Sequence, residues 1–129
     1  MRRKLAPHGF SLEPGDGDAY VLRPSSAPSL VLKLLAAAAP HHRGGRGSLG
    51  LHWMLRSDTE DYVAVVDLSR EAIWLLKAEE FRTRAQPLAG GRFHLDWLVL
   101  SLGPRQRSQV PSEDEFQQYR LENQLRSGL

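Results

Sequence analysis

Asp18 and Lys33 are the two residues whose types and spacing point most directly to chemistry. Asp18 opens a predicted strand over 18–23, and Lys33 lies within the next predicted strand, 29–36, which is otherwise almost wholly apolar. Successive strand residues face opposite sides of a sheet, so Lys33 shares its face with Val31. A buried lysine is costly unless it is paired. The pattern predicts that Lys33 points at Asp18 or at a ligand near it; the alternative is an edge strand, where an exposed lysine blocks aggregation.

Glu13, Asp16 and Asp18 lie close together in a glycine-containing turn that leads into the first of these strands. Carboxylate oxygens are the ligands that Mg²⁺ prefers, and the ion keeps several waters when few acids are present. The alternative is a solvated turn, because aspartate and glycine are the usual turn residues. The turn is the better interpretation of any one acid alone, but Asp18 also begins a strand beside Lys33. The three acids are therefore the candidate Mg²⁺ ligands.

Basic side chains in predicted loops and in a short predicted helix form a second candidate set. Arginines outnumber lysines, and the guanidinium group can bind phosphate through two hydrogen bonds. The residues that could contact nucleic acid are His42, Arg43, Arg46, Arg82 and Arg84. The alternative is a general coding preference for arginine, which fits a formal net charge of only +2.

The glycine-rich segment 40–48 is predicted to be a flexible basic loop. It lacks the Gly-Lys-Ser/Thr ending of a phosphate-binding loop, and no strand–helix pattern surrounds it. His41 and His42 have no partner at metal-ligand spacing, and His52 and His94 are distant in sequence, so we expect no zinc site. No nucleophile-elbow motif for a serine triad is present.

Composition limits the remaining classes of function. A chain of 129 residues with 41% hydrophobic residues suits one domain, 1–129. The absence of cysteine excludes disulfides, thiolate metal sites and cysteine nucleophiles. No apolar run is long enough to span a bilayer, and the basic start has no apolar segment behind it. We expect a soluble, cytoplasmic protein.

Hydrophobic patterning predicts six strands and two helices. The segment 62–67 is the strongest strand, because its nearly continuous apolar run is typical of a central strand covered on both faces. The segment 93–98 could be a strand or one helical turn. Ser112 and Glu115 form a capping-box pattern that begins a C-terminal helix, 112–126. The strands are 18–23, 29–36, 49–56, 62–67, 72–76 and 93–98, and the other helix is 77–85.

The order of elements over residues 9–85 resembles the small PD-(D/E)XK nuclease-like proteins, including homing endonucleases and group I intron-associated endonucleases. The resemblance is a pattern of elements with few identities. It consists of Asp18 opening a strand, a hairpin into Leu30-Val31-Leu32-Lys33, the run Glu60-Asp61-Tyr62-Val63-Ala64-Val65-Val66-Asp67, and Ile73-Trp74-Leu75-Leu76 leading into Ala78-Glu79-Glu80-Phe81. It implies an α/β (α+β) fold of the restriction-endonuclease-like type, with a mixed central β-sheet flanked by helices.

Residue by residue, the resemblance implies that Asp18 is a metal-binding aspartate and that Lys33 is the catalytic lysine. It also implies Mg²⁺ as cofactor, DNA as partner and a homodimer with one site for each strand. The chain departs from the pattern in two places. Val31 stands where an acid or glutamine is expected, and residues 1–10, where a helix often brings a glutamate, contain no acid. Glu13 or Asp16 could replace the missing ligand.

Three functions therefore stay open. The first is a metal-dependent DNA endonuclease, in which Asp18 and Lys33 meet a further oxygen ligand. The second is a nuclease-like domain that has lost catalysis and binds nucleic acid or a partner protein, as Val31 favours. The third is an unrelated α+β interaction or assembly module in which Lys33 is an edge residue.

Overall fold

The computed structural model describes residues 1–15, 19–24, 28–42, 48–56, 60–100 and 110–127, without the side chains of Arg2 and His8. In these ranges the strands are β1 Phe10–Pro14, β2 Ala19–Pro24, β3 Leu30–Ala37, β4 His41–His42, β5 Leu49–Leu55, β6 Tyr62–Asp67, β7 Ala72–Lys77, β8 Gln86–Leu88 and β9 Arg92–Leu100. The helices are α1 Arg2–Leu5, a 3₁₀ turn Ala6–His8, α2 Ala78–Arg84, a 3₁₀ helix Glu113–Tyr119 and α3 Leu121–Arg126. None of these helices is long and apolar enough to cross a membrane.

The described strands form two sheets. The first has five strands in the order β1-β2-β3-β6-β7, and the second has four in the order β4-β5-β9-β8. Strands β3 and β6 run parallel, whereas the other pairs of the first sheet are antiparallel. The mixed sheet with helices confirms the predicted α+β class; the separate antiparallel sheet was not predicted. Because β3 lies between β2 and β6, the alternative that Lys33 sits on an edge strand is wrong.

The first sheet is covered on both faces over most of its length, but Val31 on β3 is exposed. One face packs against the second sheet in a cluster that includes Trp53, Trp74 and Trp97, so the three tryptophans are core residues. The other face packs against α1 and α3, through residues such as Leu5 and Leu121. Strand β6 lies between the two clusters with all its residues buried, which explains its continuous apolar run.

The predicted helix 112–126 is wrong as a single helix. Its capping box is present, with the Ser112 N–H donating to the Glu115 carboxylate at 2.7 Å. The chain then breaks at Arg120, whose extended backbone (φ −52°, ψ 137°) forms an isolated bridge to Trp74 on the edge strand β7. The 3₁₀ helix packs in the tryptophan cluster and α3 packs on the opposite face. One straight helix could not reach both faces, so the chain turns around the sheet edge.

Three short strands were missed. Strand β1 contains Glu13, which the sequence assigned to a turn, and β8 continues the second sheet after α2. His41 and His42 pair with Gly50 and Leu49, so the start of the predicted loop 40–48 is a strand, while 43–47 lie outside the described residues. All three are edge strands, and their short length gives little periodic signal. The segment 93–98 is part of a strand rather than a helical turn.

Candidate functional site

Lys33 lies on an open face at one end of the five-stranded sheet. The register aligns Glu13 with Val21 and Val21 with Val31, and the Asp61 N–H donates to the Val31 carbonyl at 2.9 Å. Aligned residues in neighbouring strands point to the same side of a sheet. We call this set the Lys33 face: Glu13, Val21, Val31, Lys33 and Asp61. Val31 is 37% exposed there, so the face is accessible to a ligand.

The strand register brings the Asp18 end of β2 next to Lys33. Ala19, the residue after Asp18, is the Cα partner of Lys33. Lys33 itself is half-buried, as expected for a lysine on an interior strand whose end is open. Asp18 and Asp16 lie outside the described residues, so their assignment as metal ligands stays a prediction.

Asp61 is a carboxylate on this face that sequence reasoning missed. It is exposed, and its Oδ2 accepts a hydrogen bond from the Val31 N–H at 2.8 Å. Lys33 is aligned with Val63 on β6. Asp61 is two residues before Val63, and residues two apart along an extended chain face the same side, so Asp61 lies on the same face as Lys33. The signal was an acid directly before the strongest strand, but its meaning depended on the parallel pairing of β3 and β6. Asp61 therefore brings an acid beside the position that Val31 leaves apolar.

Glu13 lies on the same face but farther from Lys33. Strand β2 separates β1 from β3, so the Cα atoms of the two outer strands lie about 10 Å apart. The Glu13 Oε2 accepts a hydrogen bond from Arg23 Nε at 2.8 Å, and Arg23 Nη1 donates to Ser29 Oγ at 3.1 Å. The structure thus holds the Glu13 carboxylate in an ion pair on β1 and β2 rather than beside Lys33. Its role as a metal ligand stays a prediction.

Arg82 and Arg84, predicted to contact nucleic acid, each make contacts within the protein. Arg82 Nη2 donates to Glu60 Oε1 at 2.8 Å, and the Glu60 side chain is only 3% exposed. Arg84 Nε donates to the Tyr119 hydroxyl at 2.9 Å, and its guanidinium lies over the Phe116 ring at 5.5 Å. Both side chains therefore join α2 to neighbouring elements. Their contact with nucleic acid stays a prediction.

Of the other three basic candidates, only His42 lies within the described residues. His42 is exposed on β4, at the edge of the second sheet. Arg43 and Arg46 follow it in the sequence and lie outside the described residues. The predicted nucleic-acid role of these three residues is likewise untested.

A second ionic group, which we call the Arg70 network, consists of Asp67, Arg70, Glu113 and Trp97. Arg70 donates to both oxygens of Glu113, at 2.9 and 2.8 Å, and through Nε to Asp67. Trp97 Nε1 donates to Glu113 Oε2 at 3.0 Å. Asp67 is fully buried and Glu113 nearly so. The network joins the end of β6 to β9 and to the 3₁₀ helix, so it stabilises the fold.

The pKa shifts in the Arg70 network follow from these contacts. Burial by itself raises the pKa of Asp67, but hydrogen bonds from Ser69 and Arg70, with the charge of Arg70, outweigh it and leave the pKa below its usual value. The hydrogen bonds to Glu113 raise the pKa of Arg70 despite its burial. Asp67 and Arg70 therefore form an ion pair, as a buried carboxylate requires.

Comparison with known proteins identifies a likeness to a solved structure. No protein-family model and no curated protein matches the chain. The solved structure of a bacterial homing endonuclease, I-Ssp6803I, is similar with a TM-score of 0.56 and 15% sequence identity, over 98% of this chain and 83% of that one. At such low identity the likeness concerns the fold. The protein therefore has a nuclease-like fold.

Proposed function

We propose that the protein binds DNA and hydrolyses phosphodiester bonds at the Lys33 face, as a Mg²⁺-dependent endonuclease. The observation that carries the proposal is the position of Lys33, a cation on an interior strand whose face is open, aligned with the residue after Asp18. A similar fold in a homing endonuclease supports the reaction class. Fold likeness alone cannot assign an activity, so the Lys33 face itself must be tested.

The candidate ligands on this face are carboxylate oxygens, the type of ligand that Mg²⁺ prefers. Asp61 offers an exposed carboxylate beside Val31, and Asp18 is the second proposed ligand; Glu13 and Asp16 are further candidates. A bound Mg²⁺ would polarise the phosphate and lower the pKa of a bound water. Valine cannot bind the ion, so the proposed ligands are Asp61, directly before β6, and Asp18, the residue before Ala19 in the sequence, rather than a residue of β3.

Lys33 has a defined task in this proposal. Its ammonium group is a compact cation that can stabilise the negative charge that develops on the phosphate oxygens. Because its strand is held between β2 and β6, the charge needs little reorganisation during the reaction. His42, Arg43, Arg46, Arg82 and Arg84 are the proposed contacts to the DNA backbone, which orient the duplex without reading its sequence. Cleavage of both strands would use two copies of the chain in a homodimer.

A second candidate function is favoured by Val31. An exposed valine at the position where the resemblance implies an acid is compatible with a protein that binds DNA and no longer cuts it. In that case Asp61 acts only as a hydrogen-bond acceptor that satisfies the Val31 N–H. A protein-interaction or assembly role remains if DNA is not bound at all.

The test is a nicking and gel-shift assay with supercoiled and linear DNA in Mg²⁺, Mn²⁺ or EDTA. The variants are Asp18→Ala, Lys33→Ala and Asp61→Asn. The Asp61→Asn variant keeps a hydrogen-bond acceptor for the Val31 N–H but removes the charge. Lys77→Ala is the matched control, because Lys77 is exposed and its aligned neighbour Tyr62 packs on the opposite face of the sheet. We expect metal-dependent nicking that falls about 100-fold in each site variant and is unchanged in the control.

The other outcomes separate the candidates. DNA that is shifted but uncut by the unaltered protein would contradict the endonuclease proposal and support the binding protein. Nicking that survives in Lys33→Ala would show that the Lys33 face is not the active site. The absence of both cutting and shifting would leave the interaction or assembly role.

A further inference from the structure

His52, His94 and Asp96 converge on the outer face of the second sheet, away from the Lys33 face. His52 on β5 is directly aligned with Asp96 on β9, and His94 is aligned with Met54 in the next row. The His52 Nδ1 lies 2.8 Å from Asp96 Oδ1, and the His94 Nε2 lies 2.9 Å from the same oxygen. The two imidazole nitrogens also contact each other. All three donor atoms lie within 4.8 Å of one another.

We propose that this histidine–histidine–aspartate cluster binds a divalent transition metal, with Zn²⁺ as the best-fitting ion. Imidazole nitrogen and carboxylate oxygen are ordinary zinc ligands, with bonds of about 2.0 to 2.2 Å. Tetrahedral ligands at that bond length lie about 3.3 Å from one another. The three donors are therefore closer together than zinc requires, least so for the two histidine–aspartate pairs and most so for the two imidazoles, and the side chains must rotate apart to admit the ion. Two imidazoles favour zinc over Mg²⁺, which prefers oxygen ligands.

The second sheet holds the backbone of the three ligands in place. The residues that alternate with the ligands, Trp53, Leu95 and Trp97, are buried in the tryptophan cluster, so the ligands must point outward. The His52, His94 and Asp96 side chains are 37%, 20% and 15% exposed, respectively. The site is thus anchored by the core below and open to solvent above. Three protein ligands with an open position leave room for water or an exogenous ligand as the fourth.

Of two neighbouring histidines, His41 and His42, the second supplies a matched control. His41 is aligned with Gly50, which places it on the same face as His52, with no side chain on the glycine to separate them. His42 is aligned with Leu49 and belongs to the opposite face. Both residues are exposed and adjacent in sequence. Loss of His41 could weaken metal binding through the fourth position, whereas loss of His42 should have no effect.

The alternative is a hydrogen-bonded group without a metal, in which a proton joins the two rings and the aspartate accepts from them. This arrangement would account for the same short contacts. The two interpretations differ in one observable, since only a metal site takes up Zn²⁺ stoichiometrically at these three side chains.

The experiment is a calorimetric Zn²⁺ titration of the purified protein, with Co²⁺ absorption spectra as an independent report of nitrogen and oxygen coordination. We expect about one ion per chain, and an affinity more than tenfold weaker in His52→Ala, His94→Ala and Asp96→Asn, because even outer-shell partners of a metal contribute about tenfold. His42→Ala and Asp18→Ala should bind as the unaltered protein does. The Asp18→Ala control separates this site from the proposed Mg²⁺ site, so either can fail alone.

Folding of the variants is checked by circular dichroism and by the melting temperature, which Zn²⁺ should raise only where the site is intact. If the variants do not fold, imidazole ¹H–¹⁵N spectra of the unaltered protein provide the test: Zn²⁺ should shift the ring signals of His52 and His94 but not those of His42. No uptake of Zn²⁺, or uptake lost equally in His42→Ala, would overturn the proposal and leave the hydrogen-bonded group.

Discussion

The Lys33 face and the Arg70 network place charged side chains around the same five-stranded sheet in opposite ways. Arg70 binds both oxygens of Glu113 and also Asp67, and every carboxylate of the network is buried. Asp61 on the Lys33 face is exposed, and its carboxylate accepts a hydrogen bond from the backbone N–H of Val31. Charges that satisfy one another inside a protein stabilise its fold, whereas charges open to solvent can act on a ligand.

The position of each group along the sheet explains the difference. The Arg70 network lies where β6 ends and the 3₁₀ helix and β9 pack against it, so its carboxylates are buried although the Arg70 side chain is partly exposed. The Lys33 face lies at the beginning of β6, where Val31 is exposed instead of packed under the second sheet. The same strand thus carries a structural ionic group at one end and a candidate active site at the other.

The largest expected effect is on stability, in Arg70→Ala. Removing the guanidinium leaves two buried carboxylates without their partner, so the free energy of unfolding should fall by about 3 kcal/mol. Lys33→Ala should change it by less than about 1 kcal/mol, as substitutions at open sites do. Urea denaturation of both variants, with Arg70→Lys to separate charge from the two-bond geometry, measures the difference. Equal losses in Arg70→Ala and Lys33→Ala would make Lys33 a structural residue too.

A smaller effect is expected on the pH dependence of stability, through Asp67 of the Arg70 network. The pKa of Asp67 is lower in the folded protein than the ordinary value of 3.8, because the contacts with Ser69 and Arg70 outweigh its burial. The stabilisation from this group is therefore complete above about pH 4 and is lost as the pH falls through the folded pKa. Thermal melts between pH 2 and 6 should show this fall, and Asp67→Asn should flatten it. An unchanged slope in Asp67→Asn would mean that other carboxylates dominate acid unfolding.

The Val31→Glu variant tests the Lys33 face by adding a possible metal ligand to it. Val31 is exposed, so a glutamate can be added without burying a charge, and it would supply an oxygen ligand beside Lys33. We expect Mg²⁺-dependent nicking to rise about tenfold, which corresponds to about 1.4 kcal/mol in the barrier. Val31→Met, which adds similar bulk without an oxygen ligand, is the control. No gain in Val31→Glu, in a protein that binds DNA, would favour a Lys33 face that does not perform hydrolysis.

The smallest effect is expected at an exposed ion pair that belongs to neither region. Lys4 Nζ lies 3.2 Å from Glu122 Oε1, and both side chains are more than 40% exposed. Solvent weakens such pairs, so Lys4→Ala should lower the free energy of unfolding by about 0.5 kcal/mol or less. Denaturation at low and high salt measures it. A loss as large as that of Arg70→Ala would contradict the idea that burial decides how much an ionic contact contributes.

Several elements could be predicted because their signal is local. The strand 62–67 was predicted with its observed bounds, and the helix 77–85 differs by one residue at each end. The capping box of Ser112 and Glu115 formed as its spacing indicated. Each of these depends on periodicity or on contacts between residues close in the chain. The pairing of β2 with β3, the strand that carries Lys33, was also local, because a short connection joins them.

The break at Arg120 and the two missed groups of side chains had no such signal. Arg120 is extended because the chain must turn around the edge strand β7, which is a property of the packed sheet. Asp61 meets Val31 through a parallel strand pair, and His52 meets His94 and Asp96 through the β5–β9 register. Contacts between residues so distant in sequence can be predicted only when the strand order is known.

The sequence by itself determined that 62–67 would be a buried strand, where α2 and the capped 3₁₀ helix begin to within one residue, and that a lysine would interrupt an apolar strand, because these depend on side-chain type and spacing. Only the tertiary structure decided that Lys33 lies on an interior strand with an open face, that Asp61 joins it, and that Arg70 is used inside the protein. The reason is that the pairing partner and the burial of a charge depend on strand order, which hydrophobic periodicity does not encode.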